Sequence, residues 1–483
     1  MKTILIGADG GTRWVIDNLN LKGFEELKEE GFFTEIDSLL PFQSEPSWPS
    51  IYTGNSPRKH GIIEFFYLKK DYEKDYKYFE VNETKPFWDE INGKKIIVNP
   101  PLIVKPYKIN GIIITGWPYP PKSYPKDVQS LTKKFGFVGE EIEGENLLRK
   151  GNRKGYEVLL KRMKSMKELS TYLLKNYEFD FGFFVFSEMD RAQHFSLGEK
   201  DWRRYTYPFY KVVDDFLRFC LNSDAQNIFV VSDHGFQKMK RKFLINTFLV
   251  KKNFAKLKEP SKLSKIKYQI REKIMRSSLR KTYDRMPQLL RSFARKVFML
   301  GFSSGTVANV ARIHSFDFDM KKTKVFASVS NSPVAMLFIN DSRFSKGIVK
   351  EEEKEKIKEN VKKALLNVKE KNKKVVERIV DGKEYYKELW KRGIILPDLL
   401  VVAKEGYFFS IYDYNEQKLF DKPEYAKGGD HYKKAIFGGF SKDGELNKKL
   451  KSIVSKNPNI IDVAPTILAI YKKRINCEGK NLL

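Results

Sequence analysis

The stretch TILIGADGG, residues 3–11, decides the fold, because an apolar run there ends abruptly at an aspartate and two glycines. Similar apolar runs recur along the chain and indicate strands buried on both faces, as in a parallel sheet. Longer segments with helical spacing, such as 152–174 and 351–373, lie between them. This alternation predicts an α/β fold with a central, mostly parallel sheet and helices on both faces. The predicted strands are 3–8, 95–98, 111–115, 181–186, 227–232, 334–339 and 399–402.

The composition indicates an ordered protein with anionic partners. Hydrophobic residues make up 41% of the 483 positions, which is enough for a large packed core and argues against global disorder. The formal net charge of +29 favours phosphorylated small molecules or an anionic membrane surface as partners. Enrichment in charged residues is also common in heat-adapted proteins. Nucleic acid has no support beyond this charge, so we do not expect it as a partner.

The cysteines and the N-terminal residues favour a cytoplasmic location. Cys220 and Cys477 are the only two cysteines, so neither a disulfide framework nor a CxxC metal knuckle is present. The chain passes from Met1 directly into the first apolar run, without the pattern of a secretory signal peptide. Apolar stretches of about 18 residues, which a membrane-spanning helix needs, are absent from the sequence. We expect a cytoplasmic protein that is at most peripheral to a membrane.

Aspartate and histidine residues cluster where predicted strands end. Ligands of open α/β sheets bind beyond the carboxyl ends of the strands, and three of the four clusters follow a strand. The fourth, at 430–431, precedes the apolar run 435–440 and is expected on a loop that reaches the same edge. Carboxylate and imidazole groups suit Zn²⁺. The predicted metal ligands are Asp9, Asp190, His194, Asp233, His234 and His431.

A second pattern, SEPSWPSIYTGNSPRKHGI at residues 44–62, completes a recognisable set. It combines with Asp-Gly after the first strand, Asp-x-x-x-His at 190–194, Ser-Asp-His-Gly at 232–235 and Gly-Asp-His at 429–431. Together these motifs resemble the type I phosphodiesterase/nucleotide pyrophosphatase branch of the alkaline phosphatase superfamily. The resemblance covers nearly the whole chain and implies an alkaline-phosphatase-like core that hydrolyses phosphate esters.

The resemblance also implies a role for each motif residue. The nucleophile would be Ser44, two residues before Pro46, where the branch usually has Thr, with Ser47 as the runner-up. Ser47 is expected to help bind a phosphoryl oxygen. Trp48 stands where sulfatases of the superfamily need Arg, which argues against sulfatase activity. One metal ion would be bound by Asp9, Asp233, His234 and Ser44, and the other by Asp190, His194 and His431.

We therefore predict a metal-dependent phosphohydrolase that cleaves a phosphodiester or pyrophosphate bond through a phospho-Ser44 intermediate. Metal coordination activates a serine hydroxyl, and two divalent ions stabilise the attacking and leaving oxygens. Zn²⁺ is favoured, with Mn²⁺ as the alternative. A phosphomonoesterase or a phosphoglycerate mutase-like phosphotransferase stays open because Ser replaces Thr. A basic protein that binds membrane surfaces or polyanions on a phosphatase fold is the alternative from another class.

The domain prediction assigns 1–249 and 312–483 to the catalytic core and 250–311 to a basic, mainly helical insertion. Between residues 251 and 300 there are 16 Lys and Arg against three acidic residues. This segment is either a solvated helical cap or a surface that binds an anionic membrane. Residues 69–124, rich in Tyr, Lys and Pro, are a candidate lid region.

Deleting residues 251–300 tests the insertion. We expect hydrolysis of small soluble esters to persist, because every predicted site residue lies outside this segment. Sedimentation with anionic vesicles then separates the two interpretations: loss of binding identifies a membrane-docking device, and unchanged behaviour identifies a solvated cap.

Overall fold

The computed structural model describes residues 1–76, 79, 84–139, 142–258, 318–328, 332–411, 417–423 and 428–483. Within them, an eight-stranded sheet forms the centre of the molecule. Its five middle strands run parallel, and the strands at its two margins are antiparallel to their neighbours. In spatial order the strands are Phe32–Asp37, Lys434–Ser441, Asn227–Val231, Thr3–Ala8, Phe181–Phe186, Lys95–Val98, Gly111–Ile114 and Ser123–Tyr124.

Helices cover both faces of this sheet, as the unbroken apolar strands require. Along the first strand, Ile4 and Ile6 pack into one core with Leu217 of the helix Trp202–Leu221. Leu5 points the other way, into a second core with Trp48. Successive side chains of a strand alternate between faces, so a strand that is apolar at every position must be covered on both. The predicted α/β class is confirmed.

Most of the described α-helices flank this sheet, whereas Ile245–Lys251, Glu351–Leu366 and Gly382–Tyr386 pack against a second, antiparallel sheet. The described residues also form five short 3₁₀ helices, at Phe87–Glu90, Lys126–Val128, Lys387–Arg392, Ser452–Lys456 and Ile460–Asp462. The α-helices are Arg13–Ile16, Lys22–Glu30, Ser44–Thr53, Pro57–His60, Gln129–Lys134, Ile142–Arg149, Lys154–Asn176, Glu188–Ser196, Trp202–Leu221, Ile245–Lys251, Glu351–Leu366, Gly382–Tyr386, Gly444–Lys451 and Val463–Ile470.

A separate four-stranded antiparallel sheet has a core of its own. Its strands, in spatial order, are Val325–Ser328, Val334–Ile339, Leu399–Ala403 and Val376–Asp381. The assignment of 334–339 and 399–402 to the central parallel sheet was therefore wrong. Both strands are buried along their whole length, and burial on two faces produces the same apolar run in either strand direction.

One predicted helix is shorter than its pattern. The segment 351–373 forms the helix Glu351–Leu366, followed by a hairpin that pairs Lys369–Glu370 with Lys373–Lys374. Lys371 and Asn372 turn this hairpin with positive φ angles of 46° and 64°. Both central residues of a type I′ turn, the usual turn of two-residue hairpins, have positive φ. An α-helix needs negative φ, so residues 371 and 372 cannot belong to the predicted helix.

Three further small sheets accompany the two larger ones. The paired strands are Phe66–Leu68 with Lys74–Tyr76, Gly235–Lys238 with Gly429–Tyr432, and Arg241–Leu244 with both Tyr407–Ser410 and Phe420–Asp421. Three strands of the central sheet, at 95–98, 111–114 and 123–124, fall inside the candidate lid region 69–124. The boundaries of a lid stay a prediction for the rest of that region.

The predicted insertion falls largely outside the described residues. Of 250–311, the structure describes only 250–258, and this part packs against the core of the four-stranded sheet through Ala255 and Leu257. Leu257 forms an antiparallel bridge with Phe318, where the description resumes. Across the described ranges, none of the helices has both the length and the apolar character needed to cross a membrane.

Asp398 anchors the second sheet, because it is buried and accepts hydrogen bonds from the Ile339 N–H and the Arg343 guanidinium. Lys354 lies 3.5 Å from its second oxygen. We expect Asp398→Ala to lower the free energy of unfolding by about 3 kcal/mol, because the two cations lose a buried counter-charge.

Urea denaturation measures this loss. Glu359→Ala is the matched control, since Glu359 forms an exposed ion pair with Lys362 at 2.7 Å on a helix surface. It should cost less than about 0.5 kcal/mol. Equal losses of unfolding free energy in the two variants would show that Asp398 stabilises the fold no more than an exposed ion pair does.

Candidate active site

Three neighbouring parallel strands end at one edge of the central sheet. The register pairs Ala8 with Phe186, and Gly7 with Val231. The residues that follow these strands are therefore neighbours in space. They are Asp9, the pair Asp233 and His234, and the helix Glu188–Ser196, which carries Asp190 and His194.

The first predicted ligand set gathers around Ser44, the first residue of the helix Ser44–Thr53. Ser44 Oγ lies 3.2 Å from Asp9 Oδ1 and 3.2 Å from His234 Nε2. His234 Nε2 is 3.2 Å from Asp233 Oδ2. All four side chains are buried. The structure thus brings the predicted nucleophile into contact with the ligands predicted to share its metal ion.

The second predicted ligand set is equally compact. His431 Nε2 lies 3.2 Å from Asp190 Oδ1 and 3.1 Å from His194 Nε2. His194 Nε2 is 3.7 Å from Asp190 Oδ2. His194 also contacts the main-chain oxygen of Gly429 through Nδ1, at 3.1 Å. That contact fixes the ring so that Nε2 faces the other two members.

His431 reaches the site on a strand and not on the loop that the sequence indicated. The strand Gly429–Tyr432 pairs antiparallel with Gly235–Lys238, and the register places His431 opposite Phe236. The first strand of this long-range pair starts directly after His234. A four-residue strand in a polar segment has too short a pattern to be recognised from sequence.

The two sets adjoin each other. His234 Nε2 lies 3.9 Å from Asp190 Oδ1, and the rings of His234 and His431 stack with their centres 3.9 Å apart. In each set, one ligand atom from every member lies within 4.8 Å of the others: the groups are Asp9, Asp233 and His234, and Asp190, His194 and His431.

Buried negative charge dominates the electrostatics of this site. Burial, followed by the charges of Asp233 and Asp190, raises the pKa of Asp9 well above its usual range. Burial, followed by the field of Asp190, raises the pKa of Asp233 to about 7. Burial disfavours the ionised form of Asp190 too, but the positive charges of His194 and Arg191 hold its pKa well below the usual range. Crowded buried carboxylates of this kind need a compensating cation.

The donor chemistry fits divalent metal ions in both sets. Among the described residues, no hydrogen bond of good geometry reaches Asp233 Oδ2 or Asp190 Oδ1, although both atoms are buried. Burial and the nearby His431 lower the pKa of His234 to about 3, so its imidazole is neutral at pH 7. A neutral imidazole is the form that coordinates a metal ion.

Several supporting residues were not predicted. Trp48 donates its indole N–H to Asp9 Oδ2 at 3.1 Å, which orients the carboxylate toward Ser44. Gly10 has a positive φ of 67°, and its N–H donates to Asp233 Oδ1 at 3.1 Å. A Cβ at Gly10 would lie 2.5 Å from the Phe236 ring. The Asp-Gly pair after the first strand was the available sequence signal for this turn.

Two charged neighbours of the predicted residues also went unnoticed. Glu45 follows Ser44, and its pKa is raised by burial, against the opposing charges of His431 and Arg191. Arg191 follows Asp190 and donates to its Oδ2. Their adjacency to predicted site residues was the only signal in the sequence.

Ser47 and His60 lie on either side of Ser50 in the sequence, and both are buried. Ser47 Oγ is 3.3 Å from Ser38 Oγ, and Ser38 donates to the main-chain oxygen of Asp233. The role of Ser47 in binding a phosphoryl oxygen stays a prediction. His60 Nε2 contacts Ser50 Oγ at 3.0 Å, and its Nδ1 accepts the Ile62 N–H, as in a structural turn.

The raised pKa of Asp233 predicts how the metal-free protein responds to pH. In the unfolded chain its carboxyl ionises near pH 3.8, and in the folded protein near pH 7. The folded state therefore holds an extra proton between these values, and stability falls as pH rises through this window. In the chelator-treated protein, we expect Asp233→Asn to raise the melting temperature little at pH 4 and progressively more up to pH 8.

Thermal scans of both proteins from pH 4 to pH 8 measure this difference. A difference in melting temperature that shrinks toward pH 8 would contradict the prediction. Adding Zn²⁺ at pH 8 should reverse the order of the two proteins, because only the wild type keeps the full ligand set.

Comparisons with known proteins agree with the fold and assign the family. No curated protein sequence matches the chain. Phosphonoacetate hydrolase from Sinorhizobium meliloti 1021, solved with phosphonoformate, is 12% identical, with 91% of this chain and 89% of that one covered at a TM-score of 0.54. Human ectonucleotide pyrophosphatase/phosphodiesterase 5 is 14% identical, with 99% and 97% covered at a TM-score of 0.50. The model of the type I phosphodiesterase/nucleotide pyrophosphatase family matches residues 3–432, and the chain belongs to this family of hydrolases that act on phosphate esters.

Proposed function

We propose that this protein cleaves phosphodiester or pyrophosphate bonds through a phosphorylated Ser44. The observation that carries the proposal is the position of Ser44 Oγ, 3.2 Å from both Asp9 Oδ1 and His234 Nε2. A hydroxyl at the start of a buried helix, in contact with a carboxylate and a neutral imidazole, has the surroundings of an activated nucleophile. Membership of the phosphodiesterase family supports the same reaction class.

Two divalent ions, Zn²⁺ by preference and Mn²⁺ as the alternative, are the cofactors that suit this site. Asp9, Asp233, His234 and Ser44 would hold one ion. Asp190, His194 and His431 would hold the other. When bound, such ions lower the pKa of the nucleophile and stabilise the charge that develops on the reacting phosphate.

The residues of the chain supply the remaining requirements of the reaction. Trp48 orients the carboxylate of Asp9, and the Gly10 N–H orients that of Asp233. The carboxylate oxygens around the Ser44 hydroxyl are therefore held in fixed positions. Ser44 loses its hydroxyl proton as Oγ attacks phosphorus in line, so that the Oγ–phosphorus bond forms, the bond to the leaving oxygen breaks, and that oxygen takes up a proton from solvent. Water then loses a proton as it attacks the phosphoserine from the side that the leaving group vacated. The Oγ–phosphorus bond breaks, phosphate or a phosphate monoester is released, and Ser44 Oγ takes up a proton again.

The Ser44→Ala variant tests the nucleophile. We expect kcat to fall by about three orders of magnitude or more, because no other described hydroxyl contacts both Asp9 and His234. Metal content should stay close to the wild-type value, since the second ligand set makes no contact with Ser44, and Asp9 and Asp233 keep the hydrogen bonds from Trp48 and the Gly10 N–H. Steady-state kinetics and elemental analysis measure the two quantities.

Ser50→Ala is the matched control. It removes a hydroxyl from the same helix that bonds the Pro46 main-chain oxygen and His60, outside both ligand sets. This variant should keep most of its activity. Wild-type turnover in Ser44→Ala would identify a different nucleophile.

A panel of nitrophenyl phosphate monoesters, phosphodiesters and a nucleoside pyrophosphate identifies the bond that is cleaved. Faster hydrolysis of the diester and pyrophosphate agrees with the proposal. A clear preference for monoesters would instead favour the phosphomonoesterase alternative.

A further inference from the structure

Gln193 precedes His194 on the helix Glu188–Ser196, and it is fully buried without being a predicted ligand. Its side-chain amide makes two hydrogen bonds to other segments. Gln193 Nε2 donates to the Gly10 main-chain oxygen at 3.0 Å, and its Oε1 accepts the Tyr210 hydroxyl at 2.9 Å. The amide thus joins the helix that carries two ligands to the loop that follows the first strand.

Thr12 and Tyr210 close these bonds into a ring. Tyr210 Oη accepts the Thr12 N–H at 3.1 Å, and Thr12 Oγ1 donates to the Gly10 main-chain oxygen at 2.8 Å. Both side chains are buried, and burial raises the pKa of Tyr210, so its hydroxyl keeps the proton that it donates to Gln193. Such a ring is rigid, because breaking any of its bonds would leave a buried polar group unsatisfied.

The ligands of the second set come from two separate segments. Asp190 and His194 lie on the helix Glu188–Ser196, whereas His431 lies on the strand that pairs with Gly235–Lys238, directly after the first set. The first set, by contrast, follows two strands that pair with each other in parallel. An ion in the second set therefore depends much more on how the helix is held against the rest of the site.

Gln193 holds this helix at the turn that carries His194. The helix begins directly after a strand of the central sheet, and near its end His194 Nδ1 contacts the Gly429 main-chain oxygen at 3.1 Å. The bond from Gln193 to Gly10 lies next to that contact in the sequence. Gly10 also donates its N–H to Asp233 Oδ1 at 3.1 Å. The ring therefore connects the end of the helix to a residue that orients a carboxylate of the first set.

We propose that Gln193 is a positioning residue that raises the affinity of the second ligand set for its ion and leaves the first set unaffected. Hydrogen bonds outside the ligands that hold metal sites in place typically change metal affinity by about 10- to 100-fold. This inference rests on the two-ion site of the proposed function. It adds a residue outside both ligand sets on which the occupancy of one set depends.

Titration of the chelator-treated protein with Zn²⁺ tests the proposal without relying on turnover. Gln193→Met keeps the length of the side chain and removes both of its hydrogen bonds. Calorimetry of the wild type should show two bound ions. We expect Gln193→Met to weaken the binding of one ion about 10- to 100-fold and that of the other by less than about threefold.

Two backgrounds identify the set that is weakened. His431→Ala removes a ligand of the second set, and Asp233→Asn impairs the first set while keeping the oxygen that accepts the Gly10 N–H. We expect Gln193→Met to weaken Zn²⁺ binding about 10- to 100-fold in the Asp233→Asn background and less than about threefold in the His431→Ala background. Equal changes in both backgrounds, or the reverse order, would overturn the inference.

Thr206→Val is the matched control. Thr206 Oγ1 lies 2.7 Å from Ser196 Oγ, and this buried pair joins the same two helices as Gln193 and Tyr210 do. Both Zn²⁺ affinities of Thr206→Val should equal those of the wild type. Tyr210→Phe opens the ring at its other side, so combining it with Gln193→Met should weaken the second ion little further than Gln193→Met alone.

The outcomes separate this inference from the proposed function. A wild type that binds two ions, with both bound equally tightly by Gln193→Met, would overturn the inference and leave the proposed function standing. Equal weakening in Gln193→Met and Thr206→Val would also overturn it, because any buried bond between the two helices would then have the same effect. A wild type that binds fewer than two ions would contradict the two-ion site and this inference with it. Selective weakening of the second set, with turnover restored by excess Zn²⁺, supports both.

Discussion

The structure depends on the close approach of three buried carboxylates at the ends of neighbouring parallel strands. Asp9, Asp190 and Asp233 stand within one cluster, shielded from water and close to each other. Such an arrangement opposes folding unless positive charge compensates it. The surrounding histidines, the indole N–H of Trp48 and the Gly10 N–H provide part of that compensation. The remaining negative charge is what gives the site its fit for divalent cations.

The rest of the core holds these carboxylates in place against their mutual repulsion. The strand Thr3–Ala8 has parallel neighbours on both sides, and its side chains enter two separate hydrophobic cores. Tyr210 of the helix Trp202–Leu221 donates to Gln193, and Gln193 donates to the main-chain oxygen of Gly10. The loop after Asp9 is thus tied to the helix that carries Asp190 and His194, so the two ligand sets share one rigid support.

The sequence predicted the five parallel strands of the central sheet, and it singled out the six Asp and His residues that the structure gathers in two groups, because both leave local patterns. A strand buried on two faces is apolar at every position, as in 181–186, and three of the four clusters of predicted ligands follow such runs. Strand direction leaves no such pattern, so 334–339 was assigned to the wrong sheet. Contacts between residues that are far apart in the sequence, such as Trp48 with Asp9 or Arg191 with Trp117, leave no periodic pattern in the sequence. The strand that carries His431 is defined by its partner at 235–238, which lies almost two hundred positions earlier.

The two predicted ligand sets are completed at different stages of synthesis, because the strand Gly429–Tyr432 pairs with Gly235–Lys238. Asp9, Ser44, Asp233 and His234 all precede residue 235, so a ribosome-bound chain has every member of the first set long before it ends. The second set is complete only after His431 has been synthesised. The strand Lys434–Ser441 follows it and takes its place in the sheet between Phe32–Asp37 and Asn227–Val231. A chain that ends before residue 431 therefore contains the whole first set and, of the second set, Asp190 and His194 but not His431. Completion of the second set and closure of the central sheet consequently depend on the last part of the chain to be synthesised.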